Sequence, residues 1–135
     1  MAHETITKGR HSELLAQTAL LANGWTVMES VAPEVFDLGI TRSGMGSAFY
    51  RVQIKTARRR DDRNGEVVIY AKKNNGKPYT KEEADYFIGI LDGEVYMFEN
   101  RELSEYWCPA HALGDKWTKL EIGIETLKNN ESEAV

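Results

Sequence analysis

The segment from residue 49 to residue 56 constrains the fold more than any other, because its hydrophobic and polar residues alternate one by one. The hydrophobic positions are Tyr50, Val52 and Ile54, and the polar positions between them are Arg51, Gln53 and Lys55. Successive side chains of a β-strand point to opposite faces. We therefore predict a strand over residues 49–56, with Gln53 and Lys55 on the same face.

Periodicity elsewhere predicts one helix followed mainly by strands. Hydrophobic residues at helical spacing before Gly24 predict a helix over residues 8–23, and Asp92-Gly93 is a strong hairpin signal. The other predicted elements are strands at 25–30, 35–41, 66–71 and 119–125, a helical turn at 80–85, the hairpin strands 87–91 and 94–98, and a helical segment at 101–107. This order predicts an α/β domain built on one mixed sheet. We expect a single domain over residues 1–128 and a disordered tail over residues 129–135.

Composition fits a globular protein. The chain has 135 residues, of which 41% are hydrophobic, and no hydrophobic run approaches the ~18 residues that a membrane span needs. Cys108 is the only cysteine, which rules out an intrachain disulfide and a cysteine-based metal cluster. The first eight residues are polar and lack the hydrophobic stretch of a secretory signal. We therefore expect a cytoplasmic protein with no membrane partner.

Charge is strongly segregated along the chain, although the net charge is −4. Residues 51–81 carry ten basic and three acidic residues, whereas the rest of the chain carries seven basic and 18 acidic ones. A basic segment on an acidic body suits a protein of which one face meets phosphates. The alternative is a solvated loop rich in lysine and arginine, and charge alone does not decide between the two.

Four polar residues on three predicted elements could form one site. Glu13 lies on the predicted helix, Asp37 on the second strand, and Gln53 and Lys55 on the third. If the two strands are neighbours, Asp37, Gln53 and Lys55 can share a face of the sheet, and Glu13 can join them if its helix packs there. Carboxylate and amide oxygens suit Mg²⁺, and a lysine beside the metal can act on water or phosphate.

Each of these residues also has a purely structural explanation. Asp37 could be a salt-bridged surface residue, and Glu13 a solvated position on the outside of its helix. Lys55 could be a surface cation on a half-exposed strand, with Gln53 as its neutral neighbour. Only their joint occurrence favours a site.

The joint pattern resembles the PD-(D/E)XK nuclease superfamily, and within it the small Gln-x-Lys members such as the group I intron homing endonucleases of this fold. The resemblance covers roughly the first 100 residues. It rests on Lys8-Gly9 with Glu13, Gly24-Trp25-Thr26-Val27, Phe36-Asp37-Leu38, the block from Tyr50 to Ala57, Tyr79, and Asp85-Tyr86-Phe87. Archaeal Holliday junction resolvases look similar in layout, but they have an acid where this chain has Gln53.

The resemblance implies a restriction-endonuclease-like core, with a mixed β-sheet flanked by helices, and Mg²⁺-dependent hydrolysis of DNA, with Mn²⁺ as a possible substitute ion. It implies that Glu13, Asp37, Gln53 and the carbonyl of Ile54 hold the metal, while Lys55 acts on the water and the scissile phosphate. The basic residues expected to contact DNA phosphates are Arg51, Arg58, Arg59, Arg60, Lys72 and Lys73.

The functional hypothesis is therefore a metal-dependent DNA endonuclease, homing-endonuclease-like, acting on duplex or branched DNA. The alternatives are a Holliday junction resolvase-like nuclease and a catalytically inactive member of the fold that binds nucleic acid or a protein partner. A domain of this size covers only part of a long recognition site, so we also expect a homodimer or a higher homo-oligomer.

Overall fold

The computed structural model describes residues 2–42, 44 and 48–127. One long helix precedes nine strands. Their bounds are α1 Ala2–Ala22, β1 Thr26–Met28, β2 Leu38–Thr41, β3 Tyr50–Thr56, β4 Arg58–Arg60, β5 Glu66–Tyr70, β6 Tyr86–Leu91, β7 Glu94–Glu99, β8 Glu105–Cys108 and β9 Thr118–Leu120. The tail predicted at 129–135 lies outside the described residues. None of the helices that the structure describes is long and apolar enough to cross a membrane.

The strands form two sheets. Six strands build the large sheet in the order β1-β2-β3-β6-β7-β9, and three build the small sheet in the order β4-β5-β8. In the large sheet β3 and β6 run parallel, while the other neighbours are antiparallel. The mixed sheet expected from the sequence is therefore confirmed.

Helix α1 packs on one face of the large sheet. Its buried residues Ala16, Ala19 and Leu20 form one hydrophobic cluster with alternate residues of the strands, among them Val52 and Ile88. Small alanine side chains let the helix approach the sheet closely. The helix therefore covers the face to which the even-numbered residues of β3 point.

The small sheet packs on the opposite face of the large sheet. A second cluster joins Val67 and Ile69 of β5, Tyr106 of β8 and Phe87 of β6. Gly89 permits this close approach, because a Cβ atom there would clash with Cδ1 of Ile69. The large sheet is thus covered on one face by a helix and on the other by strands.

Several predicted elements differ from the observed ones. Residues 101–107 are not helical, because residues 105–108 form β8, which pairs with β5. Residues 58–60, expected in a loop, form β4, and the strand predicted at 66–71 belongs to the small sheet rather than to a single common sheet. Residues 81–83 make a turn without becoming a helix, the last strand is confined to residues 118–120, and α1 begins six residues earlier than predicted.

Candidate active site

Asp37 lies where β2 and β3 begin to separate. The paired register of these strands runs from Leu38 opposite Val52 to Ile40 opposite Tyr50. Just before β2, the backbone N–H of Asp37 donates to the carbonyl of Val52 at 2.9 Å. Beyond this point β3 continues to Thr56 alongside β6 alone. The fork leaves one edge of β3 open beside Asp37.

The Asp37 carboxylate occupies this open edge. Its Oδ2 accepts a hydrogen bond from the backbone N–H of Ile54 at 2.8 Å. The N–H and C=O groups of one strand residue face the same neighbouring strand. The carbonyl of Ile54 therefore faces the side of β3 on which Asp37 lies, and it is available as an additional oxygen ligand there.

Gln53 and Lys55 project from the face of β3 that points away from α1, because they alternate with Val52 and Ile54, which pack toward the helix. Their common face, predicted from the alternation, is confirmed. The Oε1 atom of Gln53 is buried and has no hydrogen-bond partner among the described residues. The Nζ atom of Lys55 lies 5.1 Å from the centre of the Tyr79 ring.

Glu13 reaches the site from the other side of the sheet, since its helix packs on the opposite face from Gln53 and Lys55. Glu13 and Asp37 line the same cleft, which has a volume of about 380 Å³. The Glu13 Oε2 atom accepts from Nη1 of Arg10 at 3.1 Å. Asp37 thus lies near enough to Glu13 and to Lys55 for both charges to act on its carboxyl. Glu13 approaches from the face opposite to Gln53 and Lys55, whereas the sequence had suggested one common face.

Burial and charge together destabilise the ionised form of Asp37. Burial raises the pKa of its carboxyl, and the negative charge of Glu13 raises it further. The hydrogen bond from Ile54 and the positive charge of Lys55 act in the opposite direction, but the net shift of the pKa is upward. A cation placed between Glu13 and Asp37 would remove this repulsion.

The oxygen groups at the fork suit a hard divalent cation. They comprise the carboxylates of Glu13 and Asp37, the amide oxygen of Gln53 and the carbonyl of Ile54. The unpaired, buried Gln53 oxygen is the observation that fits a ligand, because leaving such a group unsatisfied costs about 1–3 kcal/mol. The described residues hold no group of three His, Cys, Asp or Glu side chains placed to bind a metal, so a cation at the fork would need the amide and the backbone carbonyl beside the two carboxylates.

The basic residues predicted to contact phosphates fall into two groups. Four of them form ion pairs or charged hydrogen bonds with acids. These are Arg51 with Asp85 at 3.3 Å, Arg59 with Asp92 at 3.4 Å, Arg60 with Asp62 at 2.5 Å, and Lys73 with Glu83 at 2.8 Å. Arg58 and Lys72 are exposed and have no ion pair with any residue in the ranges that the structure describes.

The sequence interpretation missed residues that surround Glu13. Arg10 Nη1 lies 3.4 Å from an oxygen of Glu29, and Gln17 donates to the same oxygen at 2.7 Å. These contacts hold the pKa of Glu29 below its usual value. The spacing of Arg10, Glu13 and Gln17 by three and four residues was the available signal, since it places them on one side of α1. Glu29 lies in a loop and carried no such signal.

Comparisons with known proteins bear on the family and the fold of this chain. A family model described as PD-(D/E)XK endonuclease matches residues 3–135. The solved structure of a bacterial homing endonuclease is similar to this chain, with a TM-score of 0.58, 16% sequence identity, and 94% of each chain covered. No protein among the curated ones matches the sequence. At this identity the structural likeness shows a common fold, and so confirms the fold class expected from the sequence.

Proposed function

Because this chain belongs to the PD-(D/E)XK endonuclease family, we propose that it is a Mg²⁺-dependent DNA endonuclease of the homing type. The observation that carries the proposal is the buried, unpaired Oε1 atom of Gln53 beside the fork at Asp37. A buried amide oxygen without a donor suits a cation ligand. The name of the structurally similar protein, a homing endonuclease, supports the finer assignment.

In this proposal each residue of the fork has a distinct role. Glu13, Asp37, Gln53 and the Ile54 carbonyl hold the cation, for which Mg²⁺ is the proposed ion and Mn²⁺ a substitute. When bound, the cation withdraws charge from the scissile phosphate and favours deprotonation of the attacking water. The Ile54 N–H fixes the orientation of the Asp37 carboxylate.

Lys55 acts on the reacting groups. Its ammonium group is free of ion pairs among the described residues, and the Tyr79 ring beneath it limits its range of positions. From there it orients the water and stabilises negative charge on the phosphate. The water oxygen forms a new bond to phosphorus, the P–O bond to the leaving oxygen breaks, and that oxygen takes up a proton.

The proposed partner is DNA, and the proposed assembly is a homodimer or a higher homo-oligomer. Lys55 and Lys72, which have no ion pair among the described residues, line a cleft of about 380 Å³ with neighbouring polar residues and give it a positive charge that suits phosphates. A chain of 135 residues contacts only part of a long DNA site, so two copies would double the contacted length.

The test is incubation of the purified full-length chain with supercoiled, linear and four-way-junction DNA, in Mg²⁺, in Mn²⁺ or in EDTA. We expect cleavage of duplex DNA with either metal and none in EDTA. Cleavage confined to the four-way junction would favour the resolvase-like alternative. DNA binding without cleavage under every metal condition would favour a catalytically inactive member of the fold.

A further inference from the structure

A short hairpin follows β5 and lines the cleft beside Lys55. It spans residues 72–78, and we call it the 72–78 hairpin. The N–H of Lys73 donates to the carbonyl of Lys77, and the N–H of Gly76 donates to the carbonyl of Lys73, both at 2.9 Å. Gly76 has a φ of +81°, which glycine adopts without strain. Backbone hydrogen bonds within the hairpin therefore fix the conformation of its turn.

Glu83 anchors this hairpin to the rest of the domain. Both of its carboxylate oxygens lie 2.8 Å from Nζ of Lys73, and one of them also accepts from the backbone N–H of Thr80 at 3.0 Å. The charge of Lys73 is thus neutralised by Glu83. Lys73 fixes the position of the hairpin and is not free to meet a phosphate, which differs from the role predicted for it.

The unpaired charges of the hairpin lie on either side of Lys73. Lys72 and Lys77 are exposed, and neither has an ion pair with a residue of the described ranges. Lys72 lines the same cleft as Lys55. The hairpin therefore presents positive charge to a phosphate backbone passing Lys55.

Between these lysines stand two asparagines, Asn74 and Asn75, which both line the Lys55 cleft. The Oδ1 atom of Asn75 accepts from the N–H of Lys77 at 3.0 Å, so this side chain stabilises the turn. Asn74 is exposed, and its amide has no hydrogen bond to any residue within the described part of the chain. An exposed amide on a fixed turn is an available donor and acceptor.

We infer that the 72–78 hairpin enters the major groove next to the scissile phosphate, where Asn74 reads a base and Lys72 contacts the flanking phosphate. This inference rests on the proposed function, because it takes Lys55 to lie at the scissile phosphate. The major groove, about 12 Å wide, admits a two-stranded ribbon. An asparagine amide pairs with N6 and N7 of adenine, so adenine is the base that Asn74 selects.

The experiment is selection of bound sites from a library of randomised duplexes by the full-length chain in EDTA, which measures recognition without cleavage. Asn74→Ala removes both the donor and the acceptor that would pair with adenine, and Asn74→Asp removes the donor. Asn64→Gly is the matched control, since Asn64 is an exposed amide in another turn of the basic segment, with a φ of +57° that glycine tolerates. Lys72→Ala tests the phosphate contact.

We expect the wild-type chain and Asn64→Gly to select the same sites, with one strongly preferred adenine. Both Asn74 variants should lose preference at that base pair alone, with affinity for the best site falling about 5- to 100-fold. Lys72→Ala should keep the preferred sequence and lower the slope of log K against log salt by about 0.9. Unchanged site preference in both Asn74 variants, or duplex binding by the wild type without any base preference, would overturn the inference.

The outcome is separable from that of the proposed function. Loss of the adenine preference in a chain that cuts no DNA in Mg²⁺ or Mn²⁺ would support the hairpin as a base reader and contradict the nuclease proposal. Metal-dependent cleavage together with unchanged base preference in the Asn74 variants would support the nuclease proposal and contradict the hairpin as a base reader. Failure of the wild type to bind any duplex would contradict both.

Discussion

The carboxylate of Asp37 accepts a hydrogen bond from the backbone N–H of Ile54 at 2.8 Å. A residue just outside β2 is thus hydrogen-bonded to the middle of β3. This N–H lies on the edge of β3 that β2 has just left, and within residues 2–42, 44 and 48–127 no strand pairs with it there. Asp37 therefore completes the backbone hydrogen bonding of the fork. Its other oxygen stays available for a ligand.

The first prediction concerns Asp37→Asn, which should abolish metal-dependent DNA cleavage yet raise the melting temperature of the metal-free protein at neutral pH. The amide oxygen of asparagine can still accept from Ile54, but the buried negative charge and its repulsion by Glu13 are gone. Calorimetry in EDTA and a cleavage assay in Mg²⁺ measure the two effects.

The stabilisation by Asp37→Asn should depend on pH. The pKa of Asp37 is higher in the folded chain than its unfolded value of about 3.9, so the wild type loses stability as pH rises through this range. The stability of the variant should therefore exceed that of the wild type by more as pH rises, and the two should be equally stable near pH 3. Asp61→Asn, at an exposed position, is the control. A lower melting temperature for Asp37→Asn at pH 7 would contradict the argument.

The second prediction concerns Lys55→Ala, which should lower the cleavage rate at least about 100-fold, a loss typical of removing one group that stabilises charge in the transition state. The fold should be unaffected, because Lys55 has no ion pair among the described residues and its side chain, beside the Tyr79 ring, is only partly buried. Lys119→Ala, on the far edge strand β9, serves as the control. Equal cleavage rates for the two variants would remove Lys55 from the mechanism.

The third prediction concerns Gln53, whose buried oxygen lacks a partner. Gln53→Leu should weaken Mg²⁺ binding and raise the stability of the metal-free fold, since it removes an unsatisfied polar group. Gln53→Glu should tighten Mg²⁺ binding, because hard cations respond to ligand charge. Calorimetric titration with Mg²⁺ reports both effects without DNA. Wild-type affinity in Gln53→Leu would show that the metal is held by other groups.

The fourth prediction concerns Arg58, Arg59 and Arg60. Arg59 and Arg60 are already paired with Asp92 and Asp62, so they release fewer counterions on binding DNA than a free arginine does. Arg58→Ala should therefore flatten the slope of log K against log salt by about 0.9, and Arg59→Ala by clearly less. Binding of one duplex over a series of salt concentrations gives the slopes, and equal changes for both variants would contradict this ranking.

The fifth prediction concerns Asn100, which is fully buried and whose side chain makes five hydrogen bonds. Its amide donates to the carbonyls of Tyr79, Thr80 and Ala84, and its oxygen accepts from Tyr106 and from the N–H of Glu102. Asn100→Ala should lower the free energy of unfolding by about 3 kcal/mol or more, because several buried groups lose their partners.

Urea unfolding measures this loss, and Tyr106→Phe provides a graded comparison. The Tyr106 hydroxyl gives only one of the bonds to Asn100, and it also accepts from the N–H groups of Arg101 at 2.9 Å and Leu103 at 3.3 Å. A loss of about 1–2 kcal/mol is expected for Tyr106→Phe. If Asn100→Ala were no more destabilising than Tyr106→Phe, the network would not carry the stability assigned to it.

Local patterns predicted the elements whose partners lie nearby, or whose two faces differ strongly. The alternation in β3 and the Asp92-Gly93 turn between β6 and β7 are such cases. The segment containing Tyr106 and Trp107 has helical spacing but forms β8, because pairing with β5, nearly 40 residues earlier, overrides local preference. Helix α1 begins earlier than predicted because its first turns are exposed and lack the hydrophobic spacing on which the prediction relied. They carry instead an exposed ion pair between Glu4 and Lys8 at 3.2 Å.

For the candidate site, the sequence predicted which residues of β3 share a face, but not how the other elements approach them. Residue parity placed Gln53 and Lys55 on one face, and the structure agrees. Parity within a strand says nothing about which face a helix covers, so the approach of Glu13 from the opposite side could not be read from the sequence. The pairing of Lys73 with Glu83 depends on how a hairpin and a later turn meet, which is also a tertiary property.

The single residue Ala57 separates β3 of the large sheet from β4 of the small sheet, and its N–H donates to the carbonyl of Ile90 at 2.9 Å. A link of one residue allows β3 and β4 little independent movement. Arg58, which is exposed on β4, and Lys55 are three residues apart, so at most about 11 Å of chain separates them. A displacement of β4 will therefore also displace Lys55. If Arg58 contacts a DNA phosphate, as proposed, a change in that contact will also shift Lys55 relative to the scissile phosphate.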